Sequence, residues 1–236
     1  MSTLLKPQVV LFDLYGTLID IHTDERSRAV WQPLARFLRY QGLPADDQKL
    51  RHEFFSLMRQ IRRASPERHP EWDGGVVFGT LLRALGYAGE AGFITEVAQL
   101  FRVLSMRRLG LFSDTLPLLQ HLHGRYRMGL ISDAQRCFLE PELAEVGLSQ
   151  FFDHIVVSSD YGYRKPDPRL FAQALAAFEV PPDQAVFIGD NLLRDVSGAV
   201  AARIPAIWLA RPGARTEQSS ARPDLTISGL AELEGW

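Results

Sequence analysis

The chain has 236 residues, 46% of them hydrophobic, with a formal net charge of -2 at pH 7. That apolar share excludes a disordered chain and suits one domain of ordinary size, or a domain with an insertion. The near-neutral charge gives no electrostatic reason for a nucleic-acid partner, no run approaches the ~18 apolar residues of a membrane span, and the one cysteine, Cys137, excludes an internal disulfide or a multi-cysteine metal site.

Val9–Phe12 is an apolar run too short for a helix and suited to a fully buried strand. It stops at Asp13, followed by Gly16 and Thr17. In an open parallel sheet ligands bind outside the carboxyl ends of the strands, so Asp13 stands where a reactive carboxylate would be placed. An aspartate after a strand also serves as a turn former or helix cap. From about Asp20 to Gly110 the pattern is helical throughout. Trp31, Leu34 and Leu38 form one stripe, ahead of a stop at Gly42-Leu43-Pro44, and Leu50, Phe54, Leu57, Met58 and Ile61 form a second. Phe78, Leu81, Leu82 and Leu85 form a third, and Phe93, Val97, Leu100, Phe101 and Leu104 a fourth. Four amphipathic helices joined by short loops predict a small bundle.

After Gly110 strands are predicted at 128–131, 155–157, 185–188 and 206–209, alternating with helices at 116–122, 138–146, 170–178 and 196–202. Such alternation indicates βαβ units and a parallel sheet. The fold expected is α/β, a Rossmann-like parallel sheet with helices on both faces. Residues 1–19 and 111–236 would form its core, and residues 20–110 an inserted four-helix cap. The inserted segment has a slight basic excess and the remainder an acidic one. That would suit a divalent cation below and an anionic substrate between, although surfaces also vary without such meaning.

Three further strand ends carry chemistry. Residues 128–132 end in Ser132, with Asp133 next. Residues 163–168 place Lys165 just before a proline-opened helix. The run 186–195 ends a strand in Gly189-Asp190-Asn191, with Asp195 five residues later. Each has a dull reading as cap or solvated loop, but parallel strands put all four ends on one rim. A carboxylate can attack phosphorus and form an acyl phosphate. Because it repels a phosphate dianion, a cation must offset both. Asp13, the backbone carbonyl of Tyr15 and Asp190 offer hard oxygen ligands for Mg²⁺. Ser132 would hydrogen-bond a phosphoryl oxygen and Lys165 would place a point charge beside it. Asp195 would orient Lys165 or metal-bound water, while Thr17, Asp133 and Asn191 would support the site.

The four segments, in order, resemble the signatures of the haloacid dehalogenase-like hydrolase superfamily, and the helical insertion resembles that family's cap. The resemblance implies Asp13 as nucleophile, Ser132 and Lys165 as catalytic partners, Mg²⁺ as cofactor and a small anionic substrate. Two departures pull in opposite directions. Family phosphatases usually carry an acid/base aspartate two residues after the nucleophile; Tyr15 stands there, and a phenol with a pKa near ~10 is a poor proton shuttle. Asp-Leu-Tyr-Gly-Thr is instead similar to the opening motif of L-2-haloacid dehalogenases, which attack carbon without a metal. Those enzymes typically replace the metal-binding aspartate of the fourth motif, which this chain keeps as Asp190. Their cap arginine, in a Trp-Arg-Gln-Lys-Gln-like segment, has no clear counterpart beyond Arg36, Arg39, Arg59 and Arg62.

The expected activity is therefore Mg²⁺-dependent phosphate hydrolysis, with dehalogenation and a non-catalytic binding module as alternatives. Residues 62–70 read as a solvated, proline-punctuated loop that could instead touch an anionic substrate. Trp72 and Tyr40 fit either a substrate pocket or cap packing. Hinges are expected near Asp20 and near residues 110–113. His121 and His123 face apart, and His22, His52 and His69 lack ligand spacing. The N-terminus shows no signal-peptide pattern, which predicts a cytoplasmic protein, a monomer or homodimer without membrane or nucleic-acid partners.

Overall fold

The computed structural model describes residues 7–211 and 219–235. The segment bearing on a leader, residues 1–6, lies outside the described residues. In chain order the elements are β1 (Val9–Phe12), β2 (Ile19–Thr23), α1 (Arg28–Tyr40), α2 (Asp47–Ala64), α3 (Gly74–Ala84), α4 (Ala91–Ser105) and β3 (Met106–Leu111). There follow α5 (Thr115–Leu122), β4 (Arg127–Ser132), α6 (Arg136–Glu145), β5 (His154–Val157), α7 (Pro168–Phe178), β6 (Ala185–Gly189), α8 (Ser197–Ala201), β7 (Ala206–Leu209) and β8 (Leu225–Ile227).

Six strands form one parallel sheet in the order β5-β4-β1-β6-β7-β8. β1 is buried on both faces. Val10 and Phe12 join one core with α5 and α6, while Val9 and Leu11 join another with α7 and α8. The chain builds outward from β1 through β4 to β5, then crosses back and builds β6, β7 and β8 on the other side. That reversal opens a crevice at the carboxyl ends of β1 and β6, where an open α/β sheet binds its ligand.

The four helices α1 to α4 pack around one ring from each: Trp31, Phe54, Phe78 and Phe101. The centroids of Trp31 and Phe54 lie 5.1 and 4.8 Å from that of Phe101. Side chains close the helix starts, with Ser27, Asp46 and Asp73 accepting backbone N–H groups of the first turns. Gly42 takes φ 80° just past α1 and ends it.

The expectation of helix throughout 20–110 is corrected at both ends. β2 and β3 form an antiparallel pair, Ile19 opposite Leu111 and Ile21 opposite Leu109. Those four side chains pack on the sheet's core while Asp20 and His22 alternate with them. The local period is therefore two, masked by the longer helical stripes beside it. The sequence reading also missed β8, a three-residue edge strand whose one buried side chain is Ile227.

Candidate active site

Asp13 leaves β1 directly into the crevice, 6% exposed. Its N–H donates to the Ile188 carbonyl at 2.9 Å, which ties it to β6. The Lys165 ammonium, itself buried, lies 2.6 Å from Asp13 Oδ1 and 2.7 Å from Asp195 Oδ1, and donates to the Ile131 carbonyl at 3.0 Å. The Thr17 hydroxyl stands 3.1 Å from Asp13 Oδ2 and 3.5 Å from Asp190 Oδ1.

Local backbone geometry makes this crowding possible. After β6 a single wide turn, Leu192–Val196, brings Asp195 back to the strand end, where its Oδ2 accepts the Asn191 N–H at 2.9 Å. The Asn191 side chain in turn accepts the Arg194 N–H at 2.9 Å. A Cβ on Gly189 would stand 2.6 Å from the Asp195 Cβ, so only glycine allows that return. Gly16 has φ +91°, and a Cβ there would meet Asp190 Oδ2 at 2.6 Å.

Asp13, Asp190 and Asp195 offer oxygens within 4.8 Å of one another, with one ammonium among them. Burial pushes Asp13 up to about 7 against the pull of Lys165. Burial, then the charge of Asp195, pushes Asp190 up to about 6. Burial would lower Lys165, but Asp13 and Asp195 outweigh it and hold the ammonium charged. The cluster is short of positive charge, and its hard oxygen donors fit a divalent cation such as Mg²⁺. Beside it, at the end of β4, Ser132 is fully buried and its Oγ has no hydrogen-bond partner among the described residues. Asp133 accepts the Lys165 backbone N–H at 2.9 Å.

Tyr15 is held differently. Its hydroxyl donates to Glu142 Oε2 at 2.5 Å, and Glu142, buried on α6, also receives Arg102 Nε of α4 at 2.5 Å. Burial, reinforced by the Glu142 charge, raises the Tyr15 phenol well above its ordinary value and keeps it protonated at neutral pH. Neither partner was found in the sequence. Glu142 is visible there only as a charge within the apolar face of a helix, between Leu139 and Leu143.

A cavity of about 350 Å³ opens beside Tyr15 and Asp133, with Met58, Arg62, Trp72 and Arg102 on the wall from the helical segment. Of the four arginines named from sequence, Arg62 lines it, while Arg36, Arg39 and Arg59 are exposed and do not. Trp72 lines it too, but Tyr40 is 81% exposed. The expectation of a solvated loop over 62–70 is corrected: residues 62–64 belong to α2, and the loop that follows them is tied to its surroundings. Its His69 carbonyl accepts the Arg164 N–H at 2.9 Å, and Glu67 pairs with Arg169. Glu71, just beyond, is buried against Ser158 and also lines the cavity; like Arg164, it was not singled out from sequence. No histidine joins a candidate metal cluster among the described residues, and no described helix is long and apolar enough to cross a membrane.

The chain is 35% identical over 158 residues to phosphoserine phosphatase of Thermus thermophilus, a match covering 66% of this chain and 62% of that protein's length. It is 25% identical over 213 residues to glyceraldehyde 3-phosphate phosphatase of Pyrococcus abyssi, covering 85% of this chain and 80% of that one. A solved 2-haloacid dehalogenase from Pseudomonas syringae shares the fold with a TM-score of 0.64 at 23% identity, covering 97% of both chains. The family model for haloacid dehalogenase-like hydrolases matches residues 7–203, and with the parallel sheet and its rim of carboxylates it identifies the chain as a hydrolase of that family.

Proposed function

We propose that this hydrolase is a Mg²⁺-dependent phosphohydrolase in which Asp13 attacks phosphorus of a small phosphorylated metabolite. A bond forms between an Asp13 carboxylate oxygen and phosphorus, the bond to the leaving oxygen breaks, and water later releases the phosphoryl group from Asp13. The observation that carries this reading is charge: of three carboxylates with oxygens within 4.8 Å of one another, two contact the one ammonium, and the more distant Arg194 guanidinium leaves the cluster still under-compensated. Such a nucleophile cannot meet an anionic phosphoryl group without a further cation. Asp13, Asp190 and the Tyr15 carbonyl would hold it. When bound, Mg²⁺ offsets charge on the phosphoryl oxygens.

The chain's own groups do the rest. Lys165 draws Asp13 into place and adds charge beside the phosphoryl group, Asp195 positions Lys165, and Asn191 fixes Asp195. Asp133 holds the backbone of Lys165, and Thr17 orients the Asp13 carboxylate. The unpartnered Ser132 hydroxyl is free to donate to a phosphoryl oxygen. The Tyr15 proton is committed to Glu142, so the phenol is not an acid for the leaving group. Losing acid catalysis is worth ~10²–10⁴-fold, which favours substrates with good leaving groups. Residues 20–110 act as a cap over the crevice, with β2 and β3 as its hinge, and closure excludes bulk water. The phosphatase relatives support a small phosphorylated substrate.

Tyr15 and the dehalogenase fold neighbour favour a second reading, displacement of halide from carbon. Parallel assays separate the two, with an activated aryl phosphate and L-2-chloropropionate, each with and without Mg²⁺. Mg²⁺-dependent phosphate release, lost in Asp13→Asn, supports the proposal. Chloride release without metal overturns it.

A further inference from the structure

We infer that the substrate's leaving group carries a second anion, a carboxylate or another phosphoryl group, gripped by Arg62 and Arg164 in the cavity beside Tyr15. The inference rests on the phosphohydrolase reading and adds the substrate class to it.

It follows from pairing the charges that line the cavity. Every carboxylate there already has a partner within the protein. Glu25 stands 4.0 Å from Arg102, and Asp133 stands 3.8 Å from Arg194. Glu71 accepts the Ser158 hydroxyl at 3.0 Å and the Trp72 N–H at 2.9 Å. Among the cations, Arg102 is bound by Glu142 and Arg194 faces Asp133. Arg62 and Arg164 remain. Neither has an ion pair or a side-chain hydrogen bond among the described residues, although the charge of Arg164 acts on Glu71 from beyond contact distance. The Nε of Arg62 is withdrawn from solvent with no acceptor among the described residues, and such a group is costly unless a ligand satisfies it.

Their placement matches a substrate anchored at Asp13. Arg164 directly precedes Lys165, whose ammonium touches Asp13, and Arg62 enters from the last turn of α2. A phosphoryl group between Asp13 and Ser132 would direct its leaving group past Asp133 and Tyr15 into the cavity. Met58, Trp72 and Phe138 offer apolar surface for a short carbon chain. Two guanidinium forks at its far end suit the planar oxygens of a carboxylate or the oxygens of a phosphate. About 350 Å³ is at the small end of ligand pockets and suits a compact metabolite.

A matched series tests this with Mg²⁺ present: 3-hydroxypropyl phosphate, 3-(phosphonooxy)propanoate and propane-1,3-diyl bisphosphate, with p-nitrophenyl phosphate as a general probe. The expected kcat/KM for one of the doubly anionic esters exceeds that for the hydroxypropyl ester by about tenfold or more, and which one it is separates carboxylate from phosphate. Arg62→Gln and Arg164→Gln each move that ratio toward one, mainly through KM, whereas Arg63→Gln, exposed on the same helical turn, leaves it unchanged. The ratio is independent of the folded fraction, so partial unfolding of a variant does not disturb the test. Equal use of the three esters, release of phosphate from p-nitrophenyl phosphate alone, or a ratio indifferent to both variants, overturns the inference while phosphate release stands. Absence of phosphate release from every ester, including p-nitrophenyl phosphate, overturns the phosphohydrolase reading and this inference with it.

Discussion

Lys165 balances Asp13 and Asp195 at once, so its removal leaves two buried carboxylates facing each other. Breaking a buried pair on one side costs about 3–5 kcal/mol. Lys165→Met is therefore expected to lower the unfolding free energy measured by urea titration by that amount and to abolish turnover. Tyr15→Phe gives a contrasting result. It loses a hydrogen bond to a charged group, about 1.5–3 kcal/mol, yet Arg102 still holds Glu142. Its kcat is expected to fall by less than about tenfold, below the range for a lost acid or base; a fall of ~10²-fold or more would show that the phenol moves a proton. Asp13, Lys165, Asp190 and Asp195 could be grouped from sequence because each follows a strand or its turn, and parallel strands share one rim. Glu142, Arg102 and Glu71 could not. They reach the cavity from helix sides and a loop, and the rotation of those elements against β1 is set by packing.

At the scale of elements, the turn after β1 holds its shape through one glycine. Gly16→Ala must adopt φ +91° and push its Cβ against Asp190. A non-glycine residue there costs about 1–2 kcal/mol, and the displaced carboxylate should raise the Mg²⁺ concentration for half-activation several-fold in a titration. Asp114, at the start of α5, ties distant elements together. It accepts Arg211 at 2.8 and 3.1 Å and the Leu230 N–H at 2.8 Å. Burial would raise its pKa, but Arg211 and the Leu230 N–H outweigh burial and hold it below the usual carboxylate value. A folded pKa below the unfolded one contributes stability that is present above about pH 4 and lost as pH falls through the folded value. Asp114→Asn is therefore expected to be less stable at pH 7 by about 1–3 kcal/mol, with the gap closing toward pH 3 in urea titrations at both. Buried strands and amphipathic helices announce themselves by period, so the sheet and the bundle were legible. β2, β3 and β8 were not, because runs of five, six and three residues are lost beside longer stripes.

For the whole molecule, a largely buried ion pair joins α4 of the inserted segment to α6. Arg102 and Glu142 are both nearly buried, and Phe138 of α6 packs into the aromatic core of the helical segment. Arg102→Gln leaves Glu142 under-compensated and should destabilise by about 3–5 kcal/mol, whereas adding Glu142→Gln should recover part of that loss. A double-mutant cycle read by thermal unfolding is expected to give a coupling above about 1 kcal/mol. The shared rim of the strand ends was legible in the sequence; that Arg102 of the inserted segment would pair with Glu142 beside Tyr15 was beyond any linear pattern. This arrangement also constrains how the chain can evolve. An aspartate at position 15 is several ångströms shorter than the phenol and cannot reach Glu142, so Tyr15→Asp would leave the buried Glu142 held by Arg102 alone. Tyr15, Glu142 and Arg102 therefore form one unit drawn from three separate parts of the chain, and a change at any one of them is felt by the other two.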